Sequence, residues 1–347
     1  MEAAWFCLLW WMFATYVVLD GFDLGAGMLH LVVARSEPER RQVMRSVGPV
    51  WDGNEVWLLA AGGTLFLAFP VAYAVSFSGF YLPLMMVLWL LVGRALGIEL
   101  RHQVEDPLWA QFWDVVFSVS SLLLAVFLGA ALGNVVRGVP LDENGIFFEP
   151  LWTSFGVGPP TGVLDWYTVL VGLTAAAALG HHGALWLAAR TDEAVEVRAG
   201  RLAGRLWPVV LVLSIATTVA TFAVQPNVTE SLAARPWTAI VAVMAGAGLV
   251  GAFVLRRQGR AWPAFLASGA YLYGMVASAA VGVYPFLLPG RDPDLGLAAI
   301  DAATSRYGLT VGMLWWIPGM LVVCAYTYLV TYRRLPAKFS VHDTSDH

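Results

Sequence analysis

Long apolar runs dominate this chain, and they leave few folds open to it. A helix needs about 20 apolar residues to cross about 30 Å of hydrocarbon. We read nine such runs, at roughly 4–33, 51–69, 71–98, 113–134, 162–189, 207–224, 237–255, 262–284 and 308–332. The second is short and opens with acidic residues. Charged residues are 13% of the 347 and hydrophobic ones 59%, whereas a soluble domain is about 25% charged. Mean hydropathy is +0.69. A soluble fold of this composition would expose apolar surface that no core could hide, and intrinsic disorder needs the opposite balance. With a net charge of −4, no basic surface points to nucleic acid. Cys7 and Cys324 lie far apart in apolar runs and form neither a disulfide framework nor a metal-spacing motif. The first run is too long for a signal-peptide h-region and has no basic segment before it. The predicted fold is all-α: a polytopic integral membrane protein with nine transmembrane helices. It forms a single transmembrane domain over 1–335, followed by a tail over 336–347.

The segments between the runs set an orientation. Those after odd-numbered runs hold fifteen basic residues, among them Arg35, Arg40, Arg41, Arg101, Arg198, Arg201, Arg256 and Lys338. Those after even-numbered runs hold only Arg137, Arg235, Arg291 and Arg306. Positive residues stay inside. The N-terminus is therefore expected on the outer, periplasmic side and the C-terminus in the cytoplasm.

Carboxylates within apolar runs are costly, so they are functional candidates by default. Asp20 and Asp23 in the first run are spaced i, i+3 and share a helix face. His30, seven residues on, returns to that face. Gly21 and Gly25 form a G-x-x-x-G that permits close helix contact. The second run opens with Asp52 and Glu55, again i, i+3. Asp20 lies about 22 Å along the first helix from Trp5. Both pairs are thus expected at similar depth, in the cytoplasmic half, on consecutive antiparallel helices. Arg94 and Glu99 end the third run and Asp114 opens the fourth. The outer half reads as almost free of ionisable groups, and this asymmetry suggests that protons enter from the cytoplasm and stop inside. His181 and His182 sit near the inner end of the fifth run, where they read as solvated or hydrogen-bonded.

Plainer readings stand beside these. Asp52 in a first helical turn could be a cap or a dipole partner. Asp20 and Asp23 could bond neighbouring backbone or Arg94. Adjacent histidines point about 100° apart on a helix, so His181 and His182 cannot both face one iron. Trp5, Trp10, Trp11, Trp109, Trp113, Trp315 and Trp316 mostly read as interfacial anchors. No P-loop, G-x-G-x-x-G or haem-attachment motif is present. As function classes, a proton-coupled transporter and a purely structural membrane partner both suit carboxylates on membrane helices.

Two segments are more specific. Val17-Val18-Leu19-Asp20-Gly21-Phe22-Asp23-Leu24-Gly25-Ala26-Gly27-Met28-Leu29 resembles the first-helix signature of subunit II of cytochrome bd quinol oxidases. Gly48-Pro49-Val50-Trp51-Asp52-Gly53-Asn54-Glu55-Val56-Trp57-Leu58 resembles that family's most distinctive motif. Similarity continues through Phe77-Ser78-Gly79-Phe80-Tyr81, with weaker echoes at 133–140 and Tyr284-Pro285. The resemblance implies nine helices and pairing with subunit I, which carries the haems (haem b with haem d, or haem b alone) and the quinol site. The complex oxidises quinol and reduces O₂ to water, taking protons from the cytoplasm across the bacterial inner membrane. The resemblance also implies that Asp52 lies on a proton route shared with the partner, and that Trp57 lies near an O₂ route. Asp20, Asp23 and Glu55 join Asp52 as proton-path candidates, and His181 and His182 are candidates for a cytoplasmic proton antenna. No haem ligand and no catalytic residue is expected in this chain. A small single-helix accessory subunit, membrane lipid and quinone complete the partners that the resemblance allows.

Overall fold

The computed structural model describes residues 1–292 and 295–341. It is helical throughout its apolar runs: α1 (Glu2–Val33), α2 (Glu37–Val47), α3 (Trp51–Ala68), α4 (Pro70–Gly79), α5 (Tyr81–Leu100), α6 (Pro107–Arg137), α7 (Trp166–Arg190), α8 (Glu193–Val224), α9 (Asn227–Ala234), α10 (Ala239–Arg257) and α11 (Ala261–Val283). A small antiparallel hairpin of β1 (Phe286–Pro289) and β2 (Gly296–Ala298) follows. The short α12 (Ala299–Ala302) and α13 (Arg306–Tyr326) complete the order.

Among the described residues, eight helices are long and apolar enough to cross a membrane alone: α1, α5, α6, α7, α8, the α10 segment, α11 and the α13 segment. The ninth candidate, α3, qualifies only together with α4, and the pair is bent by 120° at Phe69. Here the structure departs from the sequence reading, which ran one helix from 71 to 98. Pro70 disfavours helical geometry at the residue before it, and Phe69 leaves the helix at φ −134°, ψ 61°. A second break at Phe80 separates α4 from α5. Gly79, just before it, lies against Phe147: a Cβ there would sit 2.3 Å from the ring. The sixth run also begins earlier than its hydropathy suggests, because α8 extends from Glu193 through Pro208 without breaking.

The bundle is built around α1 and α7. In α7, 67% of the apolar window is buried, against 17% in α8 and 6% in α13. The two central helices meet backbone to backbone. A Cβ on Gly25 would come within 2.2 Å of the Leu179 carbonyl, and one on Gly183 within 2.3 Å of the Gly25 carbonyl carbon. Gly25 is thus the member of the G-x-x-x-G pair that sets the approach, while Gly21 faces the side chains of Leu179 and His182 rather than backbone.

The molecule has two unlike ends. One is rich in arginine and carries α2, the α7–α8 turn and the end of α13. Residues from the tail segment pack back onto it: Phe339 donates its amide to the Arg190 carbonyl at 2.7 Å, and Lys338 pairs with Glu196 at 2.5 Å. The part of the expected tail at 342–347 lies outside the described residues. The opposite end is closed by residues 138–165 and by the β1–β2 hairpin, where the Val139 amide donates to the Pro289 carbonyl.

Candidate functional site

The first-helix and second-run motifs converge at one level of the bundle. α1 and α3 run antiparallel, and Asn54 Nδ2 donates both to the Leu19 carbonyl at 3.2 Å and to Asp23 Oδ2 at 2.7 Å. From α5, Arg94 reaches into the same layer. Its Nη1 donates to Asp20 Oδ1 at 2.5 Å and its Nη2 to Glu55 Oε2 at 2.6 Å. The Tyr332 hydroxyl closes the layer by donating to Asn54 Oδ1 at 2.6 Å. Asp20, Asp23, Asn54 and Arg94 are buried, and the Glu55 side chain is 21% exposed. The layer holds three carboxylates and one guanidinium. Asp20 Oδ2, Asp23 Oδ1, Arg94 Nε and the Tyr16 hydroxyl are buried without a hydrogen-bond partner among the described residues.

Asp52 stands apart. It is exposed, on an outward ridge of α3 that continues through Val56, Leu59 and Phe66. A carboxylate at the head of an apolar ridge is not a helix cap, for no backbone amide bonds to its side chain among the described residues. Glu55, one turn along the helix, links this surface to the buried layer.

Trp57 is only 8% exposed and meets Trp11 edge-on at 5.3 Å. Trp11 contacts Trp316 at 6.2 Å, and Trp316 contacts Trp5 at 6.1 Å. Trp5 and Trp11 therefore line an internal aromatic column rather than an interfacial belt. Trp5 is fully buried and donates Nε1 to the Leu309 carbonyl at 3.1 Å. Trp315, 78% exposed, keeps its anchor reading.

The histidines are where sequence reasoning misplaced side chains. His181 and His182 are 1% and 0% exposed, not solvated. Because α7 is the central helix, proximity to its end does not bring a side chain to water. His182 bridges the Ser268 hydroxyl at 2.6 Å and the Val18 carbonyl at 3.1 Å and stacks on Phe265 at 4.5 Å. An antenna needs access to bulk solvent, which neither side chain has. His30 lies in a second charged cluster at the arginine-rich end. Its Nε2 is 2.6 Å from Asp114 Oδ1, which also accepts from Arg101 Nε at 2.6 Å. Arg40 Nη1 donates to Asp114 Oδ2 at 3.2 Å, and Arg101 continues to Glu37 at 2.9 Å. Burial alone would raise the Glu37 carboxyl, but bonds from Arg101 and Arg41 outweigh it and hold Glu37 below the usual carboxylate range. This cluster pins α2 beneath α1 and α6. Its pairings span up to 84 residues, and only the adjacency of Arg101 and Asp114 to run ends hinted at it.

A third cluster was not foreseen, since the outer half read as almost free of ionisable groups. Arg137, ending α6, donates to Glu149 at 2.5 Å, to Asn134 Oδ1 at 2.6 Å, to the Gly162 carbonyl at 3.0 Å and to Asp165. Asp165 caps α7 by accepting from the Tyr167 and Thr168 amides. Arg291 lies 3.8 Å from Asp165. Burial pushes the Glu149 carboxyl above its ordinary value, against the pull of Arg137. Burial, then the Arg137 charge, brings the Arg291 guanidinium down to about 10.

An axial haem ligand needs an imidazole nitrogen or a sulfur aimed into open space. His30 Nε2 is taken by Asp114, and both His182 nitrogens are engaged. His181 is buried, and among the described residues neither of its ring nitrogens has a hydrogen-bond partner. Among the described residues no three His, Cys, Asp or Glu side chains gather as a metal site.

Comparison with known proteins places this architecture. The family model for cytochrome bd terminal oxidase subunit II matches residues 1–334. The Haemophilus influenzae protein named "Probable cytochrome oxidase subunit 2" is 30% identical over 95% of each chain. Cytochrome bd-I ubiquinol oxidase subunit 2 of Escherichia coli is 29% identical over 94% of each. The solved bd oxidase of Geobacillus thermodenitrificans aligns with a TM-score of 0.72 at 19% identity, covering 96% of this chain and 98% of that one.

Proposed function

Because the chain belongs to the cytochrome bd terminal oxidase subunit II family, we propose that it delivers protons and frames an O₂ route for a reaction centre in subunit I. The protein is a subunit of a quinol oxidase complex and a multi-pass bacterial membrane protein. In our reading the arginine-rich end faces the cytoplasm and the membrane is the inner one. Haem b with haem d, or haem b alone, and the quinol site belong to the partner. A single-helix accessory subunit and bound lipid or quinone fit the same assembly.

One observation carries the proton reading: a buried layer of Asp20, Asp23, Glu55 and Arg94 that reaches the surface through half-buried Glu55, beside exposed Asp52. A membrane interior holds charge only when it is paired. Three carboxylates against one guanidinium leave two excess negative charges, which bound protons offset. Polar atoms without a protein partner are where water attaches. Asp23, tied through Asn54 to Tyr332 near the arginine-rich end, would begin the series, and Asp20 and Arg94 hold Glu55 in place behind the surface. Glu55 would pass protons to Asp52, which would hand them to the partner at the α3 ridge. Apolar walls around Trp57 and Trp11 admit O₂ while keeping bulk water out.

The test is Asp52→Asn in the assembled complex. Quinol oxidation and cytoplasmic proton uptake should fall together by about 100-fold, at the low end of what positioned acid–base groups contribute. Normal rates of both would remove Asp52 from the mechanism. Loss of assembly with normal turnover in the remaining complex would favour the purely structural partner.

A further inference from the structure

A groove at the arginine-rich end, between the end of α1 and the start of α8, has the properties of a headgroup site. It is open to the surface, has a volume of about 500 Å³ and is lined by Arg35, Glu193, Ala194, Val197, Arg198 and Arg201. Arg198 is committed to structure. Its Nε donates to the Val33 carbonyl at 2.6 Å, and its guanidinium lies 2.6 Å from Glu39, so it fixes α8 against α1. Arg35 and Arg201 are exposed, and among the described residues neither guanidinium forms an ion pair. The groove thus holds one structural arginine and two whose donors are uncommitted.

Depth is what distinguishes this groove from a general basic surface. The uncharged stretch of α8 from Leu206 to Val224 is 19 residues, or about 28 Å of helix. That matches about 30 Å of hydrocarbon. Arg205 then sits at the boundary, and Arg201 about 6 Å beyond it, at headgroup level. Arg201 and Arg205 also share the exposed stripe of α8 with Val212, Ile215 and Val219, spaced by three, four or seven residues. The stripe that meets acyl chains therefore turns basic where the helix leaves them. On the other wall, Leu31 and Val32 are exposed just before Arg35. Guanidinium forks match phosphate oxygens in geometry as well as in charge, and basic groups at this level attract anionic lipid.

We propose that this groove binds one anionic phospholipid of the inner leaflet, with its headgroup phosphate between Arg35 and Arg201 and its acyl chains along Val212 and Ile215 of α8. The Glu193 carboxylate on the groove wall disfavours a second anion and orients the headgroup toward the two arginines.

The test uses the purified oxidase complex, stripped of lipid in neutral detergent and titrated with phosphatidylglycerol while bound lipid is counted by native mass spectrometry. One phosphatidylglycerol should be retained at concentrations about tenfold below those needed for phosphatidylcholine. The double substitution Arg35→Gln, Arg201→Gln should abolish that preference, whereas Arg260→Gln, at the same end but outside the groove, should keep it. Because the two guanidinium groups carry no internal ion pair, the double variant should assemble. If it does not, Arg201→Lys should retain phosphatidylglycerol and Arg201→Gln should lose it. Four results would overturn the proposal: equal retention of the two lipids by the unaltered complex, unchanged preference in the double variant, loss of preference in Arg260→Gln, or displacement of phosphatidylglycerol by equimolar inorganic phosphate. Protection of Arg35 and Arg201 by a partner polypeptide rather than lipid would do the same.

Discussion

The buried charges at the two ends of the molecule are arranged on different principles. At the loop end, Arg137 and Arg291 face Glu149 and Asp165, so cations and carboxylates match in number; every nitrogen of Arg137 donates to a protein oxygen, while Glu149 Oε2 and Arg291 Nε and Nη2 have no hydrogen-bond partner among the described residues. In the layer around Arg94, three carboxylates meet one guanidinium, and Arg94 Nε together with one oxygen each of Asp20 and Asp23 has no protein partner. The first arrangement holds residues 138–165 against α6 and α7. The second has spare carboxylate, as a group that gains and loses protons requires. Both clusters keep unpartnered polar atoms, so burial and unfilled bonds do not separate structure from function here, whereas the balance of carboxylates against cations does.

The sharpest way to break this comparison is Arg137→Gln. Removing one partner of a buried, paired cluster costs about 3–5 kcal/mol, because the remaining charges stay buried. We expect a large drop in the yield and melting temperature of the complex, with near-normal turnover in whatever assembles. A stable complex with impaired turnover would mean that the loop-end cluster also takes part in the chemistry. The reciprocal substitution is Glu55→Gln, which keeps an acceptor for Arg94 but removes the exchangeable proton. Turnover should fall about 100-fold, at the low end of what a positioned acid or base contributes, while the melting temperature changes little. Stopped-flow oxidation of the quinol-reduced complex would read this directly. Unchanged turnover would place the Arg94 layer with the structural class.

The arrangement was only partly visible in the linear chain, for identifiable reasons. Apolar runs and arginine asymmetry report on solvent, which is a local property, so the spans could be read. The i, i+3 pairs Asp20–Asp23 and Asp52–Glu55 are local too, and their shared level follows from helix rise. Glu149 could not be read, since a glutamate in a Gly- and Pro-rich loop looks solvated. Its burial depends on Arg137, twelve residues away, turning back over the loop. His30 and Asp114 are separated by 84 residues and meet only because α1 is central. The same centrality buried His181 and His182. The bend at Phe69 was hidden because Pro70 serves equally as the start of a helix and as the cause of a break.

A smaller effect tests what positions the functional layer. The α1 carboxylates are held by the close approach of α1 to α7, and at Gly25 there is no room for a side chain. Gly25→Ala forces two backbones apart, and overpacking of this kind costs about 1–3 kcal/mol. Gly246→Ala on α10, where a Cβ meets nothing within 4 Å, should be neutral or slightly stabilising. Thermal denaturation of the two variants side by side would decide. Equal melting temperatures would show that α1 is positioned by its ion pairs and not by this contact.

The smallest expected effect is a difference in pH response between the ends. The Glu37 carboxyl is held below its ordinary value, so the stability it lends to α2 is present above its unfolded value of about 4.3 and is lost as pH falls through the folded value. The Glu149 carboxyl is raised instead. Its contribution is complete below the unfolded value and declines as pH rises through the folded one. Acidification from pH 7 toward about 4 should therefore begin to loosen α2 while the 138–165 loop stays closed. Hydrogen-exchange protection factors, corrected for intrinsic rates, should fall in α2 first, and Glu37→Gln should remove that dependence. Because Glu37 is largely exposed, the change will be small. Loss of protection in the loop before α2 would reverse the assignment of which end yields to acid.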